Sequence, residues 1–344
     1  MLSALIRRRG RLLAGIVALL AVLLATAVVA LGGSSDVVVY NGRSQYGDEA
    51  AFTAWERQTG KTLELRAGSA PELFERLRSE DDETPADLLV TTDLANLWRA
   101  KEAGMLEPVS TPVLSRQVPQ AFRDPDGDWW GLSLRIRTPV FSTERVRGGS
   151  LELPGYESLG DRRWRGKLCL RTSNNEYNQS LVADMIAKRG AQATERMLRA
   201  WMANSPQIYG SDVDVLEAIA AGRCDVGLTN HYYLGRMYAE DPDFPVAPAW
   251  ADQDGAGAHT NLSGVGLVKG TGHRADATAL MEHLTSPGAQ KEIAANAEFA
   301  VNPSVPPAPQ IADWADVKKD PIDVERAGKL LPDAIALMQT VGWK

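Results

Sequence analysis

The sequence predicts an α/β fold built as two interwoven lobes. Short apolar strands alternate with amphipathic helical stretches along most of the chain. No low-complexity linker and no fixed-period repeat divides it. Its 344 residues suffice for two lobes that each bury a core.

The amino terminus stands apart from that pattern. Met1 to Arg11 is short and basic, and no charge follows from Leu12 to Gly33. A positive flank ahead of an apolar run is the pattern of an export signal, and Ala25-Thr26-Ala27 offers a small-x-small cleavage site. The run is also long enough to span a bilayer, for which about 20 residues suffice. Residues 1–35 therefore read as a cleaved signal peptide or as an anchor with its basic end in the cytoplasm. Either way the body from Asp36 onward is exported, to the periplasm or the outer face of the cytoplasmic membrane. It meets the membrane only through this segment.

Within the body, Val37 to Tyr40 reads as a buried strand. A helix from about Asp48 to Gln58 puts Phe52 and Trp55 on one face and stops at Gly60. Leu63 to Leu65 is the next strand. Ser69-Ala-Pro-Glu72 is a capping-box start for a helix carrying Leu73, Phe74 and Leu77. Asp87 to Val90 is a strand ending in polar Thr91-Thr92-Asp93. Further on come a helix from Asp214 to Ala221, a strand from Asp225 to Leu228, a strand from Gly264 to Val268 and a helix from Asp276 to Leu284. Ser286-Pro287 then starts another helix.

Composition and motifs narrow the function. With four arginines and no acid in residues 1–35, the body's 33 basic residues face 44 acidic ones, so phosphate backbones would repel it. The four histidines lack zinc-ligand spacing. Asp124-Pro-Asp-Gly-Asp128 lacks the downstream glutamate of a calcium loop and reads as a hairpin turn before Trp129-Trp130. No phosphate loop, Gly-x-Ser-x-Gly elbow or carboxylate pair supports an enzyme. Cys169 and Cys224 lie in short strand-like runs, and in an oxidising compartment an even pair favours a disulfide over two buried thiols.

Ligands of open α/β sheets bind beyond the carboxyl ends of strands. Three such ends carry tyrosine: Asn41-Gly-Arg-Ser-Gln-Tyr46, Arg171-Thr-Ser-Asn-Asn-Glu-Tyr177 and Thr229-Asn-His-Tyr-Tyr233. Together with Tyr40-Asn-Gly-Arg, Thr84-Pro-Ala-Asp87, Asn96-Leu-Trp-Arg-Ala100, Gly131 to Arg137, Ser173 to Ser180 and His259-Thr-Asn-Leu-Ser-Gly264, they form an ordered set covering nearly the whole exported body. That set resembles the ferric-ion-binding proteins of bacterial ABC transporters, the transferrin-like, tyrosine-rich branch of the extracellular solute-binding proteins. Both cysteine strands look like those of the same branch.

The resemblance implies a periplasmic-binding-protein fold of type II. Its amino-terminal lobe would comprise residues 36–134 and 262–310, and its carboxyl-terminal lobe 135–261 and 311–344. The chain would cross between lobes near Arg135 and Asn261. It further implies a monomer that holds iron(III) in the cleft and delivers it to an ABC permease. Carried over residue by residue, Tyr177, Tyr232 and Tyr233 match the family's phenolate ligands. The sequence departs from the family at the first loop, where Ser44 and Gln45 stand at the usual histidine and tyrosine places. Tyr46 then supplies the fourth donor through a shifted loop, or water or an anion fills the position. Arg135 and the turn Ser173-Asn174-Asn175 are the places for a synergistic anion such as carbonate. A rival of the same fold would clamp an oxyanion or small organic solute (phosphonate, thiamine, polyamine) with these side chains. Whether iron(II) also binds is open at this stage.

Overall fold

A computed structural model describes residues 35–43, 49–321 and 323–344. Residues 1–34, nearly all of the expected export segment, lie outside the described residues, as do Ser44, Gln45 and Tyr46. Among the described residues no helix is long and apolar enough to cross a membrane.

The strands are β1 (Val37–Asn41), β2 (Leu63–Ala67), β3 (Leu88–Thr91), β4 (Leu106–Glu107), β5 (Trp130–Ser142) and β6 (Leu168–Arg171). They continue with β7 (Gln207–Tyr209), β8 (Val226–Asn230), β9 (Val246–Pro248), β10 (Thr260–Val268) and β11 (Phe299–Ala300). The helices are α1 (Glu49–Thr59), α2 (Ala70–Glu80), α3 (Leu94–Glu102), α4 (Pro112–Gln117), α5 (Glu176–Arg189) and α6 (Ala191–Ala203). After them come α7 (Asp212–Ala220), α8 (His231–Glu240), α9 (Arg274–Leu284), α10 (Pro287–Ala295) and α11 (Val324–Thr340). In space the main strands run β2-β1-β3-β10-β5-β8-β6-β7.

One strand organises this sheet. Trp130 to Ile136 of β5 pairs with β10 and Arg137 to Phe141 pairs with β8, both antiparallel. On the β10 side, β1 lies parallel to β2 and β3. On the β8 side, β6 lies parallel to β7 and β8. The inner parallel strands β1, β3 and β6 are buried almost throughout and read as short apolar runs, whereas the end strands β2 and β7 are partly exposed. Val37, Val39 and Tyr40 of β1 are fully buried, as are Leu168, Cys169 and Leu170 of β6.

Local chemistry sets the element boundaries. Ser69 accepts from the Glu72 amide, and the Glu72 carboxylate accepts from the Ser69 amide at 2.9 Å, completing the expected capping box of α2. Ser286 caps α10 with Pro287 in its first turn. Helix α7 starts at Asp212 rather than Asp214, because Ser211 is its cap. Strand β10 begins four residues before the expected Gly264. Its polar Asn261 and Ser263 hide the strand in the sequence, but both are buried against Asp93 and Arg43 respectively. At the Asp124–Asp128 turn, Gly127 takes φ +90 and Lys101 Nζ sits among the three carboxylates, 2.8 Å from Asp124, 2.8 Å from Asp126 and 3.3 Å from Asp128.

Cys169 and Cys224 form a disulfide with Cα atoms 5.9 Å apart, joining β6 to the segment entering β8. Its 55-residue separation corresponds to about 4 kcal/mol in the chain-entropy account. Helix α11 packs on both α3 and α5. Gly328 allows that approach, since a Cβ there would lie 2.2 Å from the Trp98 ring.

Candidate functional site

The ends of β3, β6 and β8 and the middle of β5 converge. The β3 end supplies Thr92 and Asp93, and Asp93 caps α3 by accepting from the Ala95 amide at 2.7 Å. The same carboxylate accepts from Asn261 Nδ2 at 2.6 Å and from the Ser180 hydroxyl, and lies 3.6 Å from Arg135 Nη2. Asp93 is thus occupied in joining β3, α5, β5 and β10.

From β6 the chain passes through Arg171 and the turn Thr172–Asn175 into α5. Asn175 caps that helix by accepting from the Tyr177 amide at 3.1 Å. The Ser173 amide donates to the Lys344 backbone oxygen at 3.0 Å, and Asn174 accepts from the Thr172 hydroxyl at 2.7 Å. Tyr177 is buried, with the Arg135 guanidinium 4.8 Å and that of Arg171 5.6 Å from its ring centre. The flat cation over an aromatic face is attractive and leaves the phenol edge available.

From β8 the chain turns directly into α8, whose first residues are His231, Tyr232 and Tyr233. Tyr232 is buried and Tyr233 half-buried, with ring centres 4.4 Å apart. Asn230 Nδ2 donates to the Tyr232 hydroxyl at 3.3 Å. Arg236, one helical turn on, lies 5.0 Å from the Tyr232 ring centre and 5.7 Å from that of Tyr233. Burial works against the charge of Arg171, but the Asp212 carboxylate outweighs it and holds its pKa above the ordinary guanidinium value.

Behind the tyrosines lies a buried ion network. Asp212, with no exposed surface, binds Arg137 at 2.8 Å and Arg171 at 2.9 Å. Arg137 also donates to Asn178 at 2.9 Å and Asn230 at 3.2 Å. Arg135 donates to the Thr92 carbonyl, while its Nη2 has no hydrogen-bond partner. Arg135, Arg137, Tyr177, Asn230, His259 and Asn261 surround a polar space that leaves no room for a water-sized sphere. The Tyr156 hydroxyl braces both crossing strands, donating to the Arg137 carbonyl at 2.6 Å and accepting from the His259 amide at 2.8 Å. The His231 ring is neutral, because burial lowers its pKa to about 3.

Tyr177 thus lies against Arg135 and Arg171, and Tyr232 and Tyr233 lie beside Arg236; Asn230 lines one space with Tyr177 and bonds the Tyr232 hydroxyl. Tyr46 falls outside the described residues. Sequence reasoning did not single out Asp212, Tyr156 or His231. Asp212 carries a signal, since it follows the helix cap Ser211; Tyr156 carries none.

A family model for bacterial extracellular solute-binding proteins matches residues 83–320. The Synechocystis protein named Iron uptake protein A1 is 36% identical over 321 residues, covering 91% of this chain and 89% of its own. The Trichodesmium protein IdiA (FutA), solved with iron and citrate, is 36% identical with a TM-score of 0.80, covering 90% of this chain and 99% of that one. The Pasteurella haemolytica apo ferric ion-binding protein A is 30% identical with a TM-score of 0.82, covering 90% and 98%. The strand order, the shared strand β5 and these likenesses agree on a periplasmic-binding-protein architecture, and the chain belongs to the family of bacterial extracellular solute-binding proteins.

Proposed function

We propose that this protein captures ferric iron outside the cytoplasmic membrane and delivers it to an ABC permease. What supports this reading is Tyr177 against Arg135 and Arg171 at one strand end and the stacked Tyr232–Tyr233 pair beside Arg236 at the next, in a family whose relatives are named for iron uptake and ferric binding. Iron(III) is small and highly charged and prefers hard oxygen donors. Three phenolates match its charge, so the metal and these tyrosines together bury no net charge when the site closes. A free tyrosine has a pKa near 10, so ionising each at pH 7 costs about 4 kcal/mol, which the cation must offset. Protons then compete with the metal, and iron is held at neutral pH and lost in acid.

In this reading Arg135 holds the synergistic anion, carbonate or a carboxylate, through Nη2, which lies 3.6 Å from Asp93 but makes no hydrogen bond, at the start of α5 near Ser173 to Asn175. Tyr46 fills the fourth position through a shifted loop, or water or an anion does. Residues 36–134 with 262–310 form one lobe, and 135–261 with 311–344 the other. The lobes hinge where β5 changes partners, and the permease recognises their closed form.

The test is an absorption spectrum and metal analysis of the purified protein titrated with ferric citrate. The expected result is one iron per chain with a visible phenolate-to-iron band, weakened or shifted in Tyr177→Phe and Tyr232→Phe. A colourless protein that binds phosphonate or thiamine instead would refute the reading.

A further inference from the structure

His231 has no part in the proposed iron site, yet it occupies a gap in the sheet. Successive amides of a strand point to opposite sides, and each buried one needs an acceptor. At the β5 crossing the Arg137 amide donates to the His259 carbonyl on the β10 side. The Ile136 amide faces the other side, where β11 pairs only as far as Leu134 and β8 begins at Arg137. No strand reaches Ile136 there. His231 Nδ1 takes the place of the missing carbonyl and accepts the Ile136 N–H at 3.1 Å.

That bond fixes the tautomer, with the ring proton on Nε2. Nε2 is buried without a hydrogen-bond partner, so the imidazole is not a fully satisfied core residue. The ring lies flat on Phe299 of β11, centres 4.7 Å apart and planes 7° apart. It meets Tyr232 edge-on at 5.9 Å and Trp314 at 6.2 Å. One side chain therefore touches the crossing point of β5, the edge of the β10-side sheet and the first turn of α8. Its next two neighbours in the chain are Tyr232 and Tyr233.

We propose that His231 is a positioning residue that ties the Tyr232–Tyr233 pair to the β5 crossing, so that the pair holds its place only while the Ile136 bond is intact, the Phe299 stack being a lesser support. This inference rests on the iron-binding reading of the same tyrosines. Ile136 and Phe299 both lie on the β10 side of the crossing, whereas α8 follows β8, so a change in the angle there moves α8 relative to both, and the imidazole carries the coupling. Metal retention would then depend on a residue that never touches metal.

The test uses the full chain with the substitutions His231→Phe and His231→Asn. Phenylalanine keeps the stack and loses the acceptor; the Asn Oδ1 restores an acceptor near the Nδ1 position and loses the stack. The readouts are the phenolate-to-iron band, the rate of iron release to excess chelator, and the melting temperature of the metal-free protein. The expected result is a shifted band and about tenfold faster release for His231→Phe, the factor set by one lost hydrogen bond. His231→Asn is expected to recover most of the wild-type release rate. Equal losses of melting temperature with wild-type band and release rate in both variants would overturn the proposal and leave His231 a packing residue. A wild-type protein that gives no band with ferric citrate would instead overturn the iron reading, and this inference with it.

Discussion

Replacing Asp212 by asparagine removes the carboxylate shared by Arg137 and Arg171. Asp212 has no exposed surface and Arg137 is 2% exposed, so the two charges face each other across 2.8 Å with little water to screen them. Asparagine keeps one acceptor oxygen but no charge, leaving two guanidiniums without the carboxylate they share. Breaking a buried pair by deleting one partner typically costs about 3–5 kcal/mol. That is a large part of the roughly 5–15 kcal/mol that stabilises a folded domain. Urea unfolding of the metal-free protein is the assay, read as a lower midpoint at unchanged slope. Burial also predicts insensitivity to salt. At 1 M the screening length is about 3 Å, which suppresses surface pairs. The exposed pair Glu325–Lys329 on α11 is the control, and Glu325→Gln should leave the urea midpoint nearly unchanged. A loss under about 1 kcal/mol for Asp212→Asn, or one that disappears in 1 M salt, would refute the reasoning.

Reducing the Cys169–Cys224 disulfide, or replacing both cysteines by serine, should lower stability by about 4 kcal/mol, read as a denaturation midpoint with and without reductant. Gly328→Ala drives a methyl into the Trp98 ring and should cost about 1–3 kcal/mol, measured by the same unfolding curve. Burial raises the pKa of Asp184, but His259 and Lys188 outweigh it and hold the group below the ordinary carboxylate value. The folded state therefore binds this proton less readily than the unfolded chain. The stabilisation is present above the ordinary carboxylate pKa and is lost as pH falls through the depressed one. Asp184→Asn should flatten the acid limb of the stability–pH profile and leave the limb above pH 7 unchanged.

Much of the fold was legible because local chemistry and packing agree. The Ser69–Glu72 capping box, Pro287 at a helix start and the all-apolar run of β1 each admit one local structure. The tyrosine-bearing ends of β6 and β8 were legible for the same reason, since a strand that stops in polar residues presents them at the sheet's edge. Arg135 and Arg137 were not. Two arginines two residues apart read equally well as a solvated edge, and the groups that bury them are remote: Asp212 is 75 residues from Arg137. Helix α11 was hidden by Pro332 in its interior, which normally ends a helix. It persists because the residues on either side pack on α3 and α5. Tyr156 and His231 take their roles from backbone groups left over where strands change partners, which no local pattern encodes.

The Lys101 ammonium among Asp124, Asp126 and Asp128 has a practical consequence. A turn of three carboxylates organised by a dissolved cation would be stripped by the strong chelators used to pull iron from a protein, and cargo removal would then loosen the scaffold as well. Here the neutralising charge is covalently attached to the neighbouring helix, so no sequestering agent can carry it away.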